Sequence, residues 1–291
     1  METSELLKKV RKVEIKTRGL SAQVLSGEYH SAYKGRGMAF SEVREYMPGD
    51  DIRSIDWNVT ARLNHPYVKI FEEERELTVM LLVDVSASGQ FGTRMQSKHE
   101  LITELCAVLS FSAITNNDKT GIIFFSDRIE KFIPPKKGRS HILRIIRELI
   151  NIEPKGTGTD LSGALRYFNN VIKKRCIAFL ISDFITTGYD DALKLASRKH
   201  DLAALRIFDQ REVDMPDMGL VRFVDAETGK VSMMDTSNAS VRRDYNLWFK
   251  QNERMTIERL NRSGVDFTTL HTGQSYVQPL LSMFKKREKR F

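Results

Sequence analysis

The feature that most constrains the fold is a series of short, almost uninterrupted apolar runs that begins at residue 77. Runs of four to eight such residues are typical of strands buried on both faces of a parallel sheet. The predicted strands are 77–83, 120–125, 129–133, 176–182, 202–208 and 266–270, and all but 129–133 are dense in apolar residues. Helical patterns lie between them, at 96–116, 139–150, 161–174, 188–199, 240–263 and 275–287.

This alternation predicts an α/β fold with a doubly wound, mostly parallel, Rossmann-like sheet. The segments 120–125 and 129–133 are too close in sequence for a crossover helix, so we expect an antiparallel hairpin at one sheet edge. A second hairpin is predicted at 220–235, with its turn at 227–230.

The first 76 residues differ from the rest in their pattern of apolar and turn-forming residues. Residues 4–16 have the spacing of an amphipathic helix, and 17–76 are interrupted by turn-forming residues such as those at 48–51. We therefore predict two domains, a small N-terminal annex containing some β-structure at 1–76 and the main α/β domain at 77–291, which ends in a basic tail.

The charge of the chain lies mostly at its two ends. The formal net charge is +8, but residues 1–20 hold six basic and three acidic side chains, and 285–291 hold five basic and one acidic. The long stretch between them is nearly neutral, which argues against specific nucleic-acid binding. The basic tail allows weak contact with an anionic membrane.

The sequence favours a cytoplasmic protein. No apolar run approaches the roughly 20 residues that a transmembrane helix needs, and the N-terminus does not have the pattern of a signal peptide. The only two cysteines, Cys106 and Cys176, lie in apolar stretches, which predicts buried, reduced thiols.

Sequence signatures of common enzymes are missing. The chain has no Walker Gly-Lys-Ser/Thr, no Gly-x-Ser-x-Gly elbow, and no metal-binding spacing among its six histidines. We therefore expect no ATP binding by this chain alone and no catalysis.

Polar residues follow the predicted strands where ligands bind in open α/β sheets. Asp84, Ser86 and Ser88 follow the first core strand, Thr159 precedes the helix at 161, and Asp183 follows the strand 176–182. Each residue alone is an ordinary turn former or helix cap. Together they predict one site whose oxygen ligands suit Mg²⁺, with Mn²⁺ or Ca²⁺ as alternatives.

This joint spacing resembles the metal-ion-dependent adhesion site of von Willebrand factor A-type domains. The resemblance implies that Ser86, Ser88 and Thr159 are direct ligands, and that Asp84 and Asp183 supply charge, partly through water. It also implies an open coordination position that takes an acidic side chain from another protein.

A second signature covers residues 35–62, which read GRGMAFSEVREYMPGDDIRSIDWNVTAR. With the strand-end spacing and the segment 71–76, it closely resembles domain-of-unknown-function family 58. Members of that family carry a von Willebrand A-like domain and are commonly encoded beside MoxR-type AAA+ ATPases. The resemblance implies an adaptor that binds such an ATPase and a client protein during the assembly or maturation of protein complexes.

Two alternatives remain open. The same acidic strand ends suit a metal-dependent phosphoesterase or nuclease, but Ser86 stands where a dehalogenase-like site has a second Asp, and Asp160 reads better as a helix cap than as a base. In the annex, we expect an ion network that holds the subdomain to the main sheet, or alternatively a face for the ATPase. The residues of this network are Asp51, Arg53, Asp56 and Arg62.

Overall fold

The computed structural model describes residues 38–73, 77–90, 97–213, 215–224 and 231–288. The predicted helix 4–16, the glycine pair at 35–37, the hairpin turn at 227–230 and the last three residues of the tail lie outside these ranges. The described chain divides into two compact units, and the boundary between them in the sequence lies between residues 77 and 78. The predicted domains 1–76 and 77–291 stay predictions.

The first unit is a two-stranded antiparallel sheet with a short helical connection. Strand β1 (Met38–Glu45) pairs with β2 (Tyr67–Glu73), and between them lie a 3₁₀ turn (Ile52–Ser54) and helix α1 (Trp57–Leu63). The β-structure expected in the annex is therefore present.

The expected ion network of Asp51, Arg53, Asp56 and Arg62 is not found among the described residues of this unit. Asp51 and Asp56 instead cap the two short helices, because their carboxylates accept hydrogen bonds from the free backbone amides of Arg53 and of Asn58 and Val59. Among the residues described, no ion pair joins Arg53 or Arg62 to either aspartate. Among the described side chains of this unit, ion pairs join Arg44 to Asp50 and Lys69 to Asp56.

The second unit contains a six-stranded sheet. Its strands are β3 (Thr78–Asp84), β4 (Lys119–Phe125), β5 (Ile129–Lys136), β6 (Ile177–Ser182), β7 (Asp201–Phe208) and β10 (Asp266–His271). They are ordered β10-β7-β6-β3-β4-β5. All neighbours are parallel except β4 and β5, which form the predicted antiparallel hairpin at one edge.

Seven α-helices, a 3₁₀ turn (Ala87–Gln90) and a small hairpin complete the described part of this unit. The helices are α2 (Lys98–Thr115), α3 (Arg139–Asn151), α4 (Leu161–Val171), α5 (Asp190–Lys199), α6 (Gln210–Val213), α7 (Ala239–Arg262) and α8 (Val277–Glu288). The hairpin pairs β8 (Leu220–Val224) with β9 (Val231–Asp235), as expected for 220–235. Helix α4 ends at Val171, before the predicted residue 174, and Lys199 Nζ donates hydrogen bonds to the carbonyls of Asn169 and Ile172 at this end.

The core lies on both faces of the sheet. Residues Met80, Leu82 and Leu180 belong to one buried cluster with helices α4 and α5. Alternate residues point to the other face, where the Phe179 and Phe284 rings meet edge to face. Burial on both faces explains why these strands are continuous apolar runs. Among the described helices, none is long and apolar enough to cross a membrane.

Candidate functional site

The ends of β3 and β6 lie side by side at the centre of the sheet, where the strand order reverses. The chain leaves β3 towards β4 on one side, whereas β6 is followed by β7 on the other. The connections therefore diverge and leave a crevice beyond the two carboxyl ends. Asp84 is the last residue of β3, and Asp183 follows the last residue of β6.

Asp84 is the centre of a hydrogen-bond network. One carboxylate oxygen accepts from the backbone amide of Ser86 at 3.0 Å. The other accepts from the hydroxyls of Ser182 at 2.6 Å and Thr159 at 3.4 Å. Asp84 is only 5% exposed, so its negative charge is held by these donors and not by bulk water.

The remaining predicted residues lie in the loops around Asp84. The hydroxyl oxygens of Ser86 and Ser88 are 3.1 Å apart. The Ala87 amide donates to the carbonyl of Thr157 at 3.3 Å, which ties the loop after β3 to the loop that carries Thr159. Asp183 accepts from the amide of Ile185 at 3.2 Å. Hydrogen bonds thus join Asp84, Ser86, Ser88 and Thr159, and their role as metal ligands stays a prediction.

Asp183 acts on Asp84 through its charge. Burial and the negative charge of Asp183 together raise the pKa of Asp84 to about 6, against the opposing effect of hydrogen bonds from Ser182 and Ser86. Two carboxylates that share a buried site favour a nearby cation or a proton.

Lys98 is a buried cation that sequence reasoning missed. Its ammonium lies 3.4 Å from Asp183 and 2.6 Å from Glu212, and its side chain is 2% exposed. Burial alone would lower the pKa of Lys98, but the charges of Asp183 and Glu212 outweigh that effect and raise it. A lysine in the first turn of a helix normally faces solvent, so no local signal marked it.

Glu130 anchors the loop that carries Thr159, and it was also missed. A single carboxylate oxygen of Glu130 accepts from the amides of Lys155 at 3.0 Å and Gly156 at 2.8 Å, and from the Ser126 hydroxyl at 2.6 Å. A β-carbon on Gly156 would lie 1.9 Å from a carboxylate oxygen of Asp127 and 2.4 Å from the Ser126 hydroxyl, so any larger residue would displace these two side chains.

The loop ends at Asp160, which caps helix α4. Its carboxylate accepts from the amide of Gly163 at 2.8 Å. The interpretation of Asp160 as a helix cap is therefore confirmed.

The donor set at the strand ends suits a hard cation. In the part of the chain that the structure describes, no three His, Cys, Asp or Glu side chains form a group able to hold a metal. The strand-end cluster is of another kind, with two carboxylates and three hydroxyls. Oxygen donors of this kind are the ligands that Mg²⁺ accepts, usually with waters retained.

The structure also brings together Cys176 and His200, a pair that the sequence did not reveal. The Cys176 sulfur lies 3.3 Å from His200 Nδ1, and both residues are buried. Burial raises the pKa of Cys176 to about 12 and lowers that of His200 to about 4. Both groups are neutral at pH 7, so the pair is not an activated nucleophile. The predicted burial of Cys106 and Cys176 is confirmed.

Comparison with solved structures finds matches of low sequence identity whose TM-scores are below 0.5. The crystal structure of conserved hypothetical protein BatB from Bacteroides thetaiotaomicron is 16% identical, covers 73% of this chain and 99% of that chain, and has a TM-score of 0.49. An aerotolerance-related membrane protein from Bacteroides fragilis is 17% identical, covers 72% and 99%, and has a TM-score of 0.48. Because both TM-scores are below 0.5, the fold is assigned from the strand order of this chain alone.

Comparison of sequences finds closer relatives. Uncharacterized protein Rv1480 of Mycobacterium tuberculosis is 31% identical over 234 residues, which are 79% of this chain and 74% of that protein. Uncharacterized protein YeaD of Bacillus subtilis is 27% identical over 109 residues, which are 38% of this chain and 25% of that protein. The family model described as "Protein of unknown function DUF58" matches residues 42–255. The chain therefore belongs to the DUF58 family.

Proposed function

We propose that this chain is a non-enzymatic protein-interaction module that depends on a divalent metal ion. In this proposal the sheet is of the von Willebrand A type, and Asp84, Ser86, Ser88, Thr159 and Asp183 hold Mg²⁺ at its centre. The bound ion would offer an open coordination position to an acidic side chain of a partner protein.

The observation that carries the proposal is the convergence of these side chains on Asp84. Thr159 and Ser182 donate to one oxygen of its buried carboxylate, although they lie 75 and 98 positions away in the sequence. Ser86 and Ser88 present two further hydroxyls within 3.1 Å of each other. A core built only for stability has little reason to gather so many oxygens at a strand end, because burying polar groups costs free energy.

The charge of the cluster also favours a divalent cation. Asp84, Asp183 and Glu212 carry three negative charges when ionised, and Lys98 carries one positive charge. The net formal charge of −2 in a buried region would be neutralised by one divalent ion.

The partners in this proposal are a MoxR-type AAA+ ATPase and a client protein, and the module works in the cytoplasm. A partner aspartate or glutamate is the natural occupant of the open position, since a carboxylate is a hard oxygen ligand and brings the charge that the electrophilic ion attracts.

The absence of catalysis is part of the proposal. Hydrolysis of phosphoesters by paired metal ions uses three or four clustered carboxylates. Here two carboxylates lie at the strand ends, and Glu212 is paired with Lys98 at 2.6 Å.

The test is calorimetric titration of the full-length protein with Mg²⁺, together with thermal unfolding. Wild type should bind Mg²⁺ and gain about 2.7 kcal/mol of stability at one hundred times the dissociation constant. Asp84→Asn should lose both effects. Asp160→Asn is the matched control, because asparagine caps a helix as well as aspartate. Undiminished Mg²⁺ binding by Asp84→Asn, or none by wild type, would overturn the metal site.

The partner assignment has its own test. Purified cognate ATPase should bind the wild-type protein in Mg²⁺ and not in EDTA, and Thr159→Ala should weaken the complex. Metal-dependent binding that Thr159→Ala leaves unchanged would contradict the proposed docking mode.

A further inference from the structure

Lys98 lies at an unfavourable place for a cation. It is the first residue of helix α2, directly after the Ser97 cap, whose hydroxyl accepts from the Glu100 amide at 3.1 Å. The amino end of a helix carries a partial positive charge, which disfavours a lysine there. The side chain is also only 2% exposed, so the ammonium has lost most of its water. Helix α2 by itself therefore gives no reason for a lysine at this position.

Two carboxylates on other elements compensate the charge of Lys98 unequally. Its ammonium lies 2.6 Å from Glu212 on helix α6 and 3.4 Å from Asp183 after strand β6. Although burial lowers the pKa of Lys98, the charges of both carboxylates raise it above its ordinary value, so the ammonium is charged at neutral pH. Glu212 is the closer partner, and Asp183 therefore keeps part of its own charge uncompensated.

The two carboxylate oxygens of Asp183 have different neighbours. Oδ2 faces the ammonium of Lys98, whereas Oδ1 accepts from the Ile185 amide at 3.2 Å. A further buried cation close to Asp183, Arg206, is paired with Glu253 at 2.6 Å, and this pair adds no net charge. Among the described residues, Lys98 is the cation that forms an ion pair with Asp183.

This ion cluster adjoins the strand-end site. Asp183 belongs to both, because its negative charge also acts on the buried carboxylate of Asp84. A buried ion cluster is weak evidence for stability, since apolar residues of similar size often stabilise a core as well or better. Two cations that are attracted to one carboxylate repel each other. The charge of Lys98 therefore opposes the binding of any second cation at the ends of β3 and β6.

We infer that Lys98 is an internal counter-ion that sets the affinity and the charge selectivity of the metal site. Lys98 and the bound ion compete for the charge of Asp183, and Glu212 limits this competition because it holds the ammonium at the shorter distance. The inference rests on the proposed function, since it takes Asp183 as part of the metal site.

Metal titration of the full-length protein tests the inference, with Mg²⁺ as the probe. Lys98→Met removes the competing charge, so the Kd for Mg²⁺ should fall by about tenfold. Glu212→Gln leaves the ammonium to Asp183 alone, so the Kd should rise by about tenfold. The double variant Lys98→Met/Glu212→Gln removes one charge of each sign and should stay within about threefold of wild type. Isothermal titration calorimetry measures each Kd.

Charge selectivity gives a second measurement, which a merely structural role of Lys98 would not change. Tb³⁺ and Ca²⁺ have similar ionic radii but different charges, and the energy of an ion pair scales with the product of the charges. Relative to Ca²⁺, the binding of Tb³⁺ should be favoured by about threefold or more in Lys98→Met and disfavoured by a similar factor in Glu212→Gln. Tb³⁺ luminescence, and its loss on displacement by Ca²⁺, measures this ratio.

Lys173→Met is the matched control for the loss of one positive charge. Lys173 is exposed and lies before the amino end of β6, at the opposite end of that strand from Asp183. This variant should bind all three ions as wild type does. Circular dichroism checks the folding of each variant. Glu212→Gln keeps Lys98 and an oxygen that can accept from the Asp209 amide, so it tests the inference even where Lys98→Met does not fold.

The outcomes separate this inference from the proposed function. Opposite shifts of the Mg²⁺ Kd in Lys98→Met and Glu212→Gln, with Tb³⁺ selectivity in the same order, support the role of Lys98. Shifts in the same direction, or none, overturn that role and leave the metal site standing. Where only Glu212→Gln folds, an unchanged or lower Kd overturns it. Wild-type protein that binds none of the three ions overturns both the inference and the proposed function.

Discussion

The Ser182 hydroxyl donates a hydrogen bond of 2.6 Å to the carboxylate of Asp84 and so joins the end of β6 to the end of β3. The same hydroxyl oxygen accepts from the amide of Phe184 at 3.1 Å. One small side chain therefore satisfies a buried carboxylate and a buried amide at the point where the sheet opens into a crevice.

Removing this hydroxyl should destabilise the protein. Ser182→Ala removes the shortest hydrogen bond to the buried Asp84 carboxylate and takes the acceptor from the buried Phe184 amide, so the free energy of unfolding should fall by about 1–3 kcal/mol. Urea denaturation measures the loss. Ser110→Ala is the matched control, because Ser110 is fully buried and its hydroxyl has no hydrogen-bond partner among the described residues. That variant should be as stable as wild type or slightly more stable. Equal losses in the two variants would contradict the role given to Ser182.

Loss of the Glu130 side chain should loosen the loop 155–159. Glu130→Ala frees the amides of Lys155 and Gly156, so we expect a loss of about 2 kcal/mol in denaturation experiments. Because the proposed function places Thr159 in the metal site, Mg²⁺ affinity should also fall, by about tenfold or more. Glu130→Gln keeps an oxygen acceptor and should lose much less of both. A glutamine variant as damaged as the alanine variant would show that charge, and not loop anchoring, is what matters at this position.

The buried ammonium of Lys98 should be important for stability. Lys98→Met leaves Asp183 and Glu212 buried without their cation, which should cost about 3–5 kcal/mol at pH 7 in EDTA. The double variant Lys98→Met/Glu212→Gln removes one of the stranded charges and should recover part of the loss. Chemical denaturation of wild type and both variants gives the comparison. No recovery in the double variant would mean that Glu212 is not a functional partner of Lys98.

His200 should make the protein less stable in acid. Burial lowers the pKa of His200 to about 4, and the positive charges of Lys199 and Arg175 act in the same direction. The unfolded chain has a histidine pKa near 6.5, so it binds a proton more readily than the folded state does. The stability due to neutral His200 is therefore present above about pH 6.5 and is lost as the pH falls from there towards 4.

The size of this effect can be measured by urea denaturation at two pH values. Between pH 7 and pH 5 the contribution of His200 should fall by about 2 kcal/mol. His200→Gln does not titrate, so its stability should fall by about 2 kcal/mol less than that of wild type over the same range. Parallel losses in the two proteins would show that His200 is not the titrating group.

Much of the architecture could be predicted because its cause is local. Strands buried on both faces must be apolar at nearly every position, and the runs that met this condition became β3, β4, β6 and β7. The short spacing between β4 and β5 excluded a crossover helix, and they form the antiparallel edge. The Asp160 cap was predictable for the same reason, since a helix start needs an acceptor within a few residues.

Other features could not be predicted because they depend on distant residues. In the annex, the charges suggested a network of Asp51, Arg53, Asp56 and Arg62, whereas the two aspartates cap helices and Asp56 pairs with Lys69 and not with an arginine. The sequence does not show which partner a charged side chain binds. A carboxylate can bind either a cationic side chain or the free backbone amides at the start of a helix, and the folded conformation of the chain decides which of them it binds.

The alternation of apolar runs and helical stripes was enough to determine a mostly parallel sheet and to place Asp84 and Asp183 after strands. Only the tertiary structure decided that these two carboxylates are neighbours, that Ser182 and Thr159 donate to one of them, and that Lys98 is buried beside the other. The physical reason is desolvation. Whether a charged or polar side chain keeps its water depends on which remote segments cover it, and that is a property of the packed molecule.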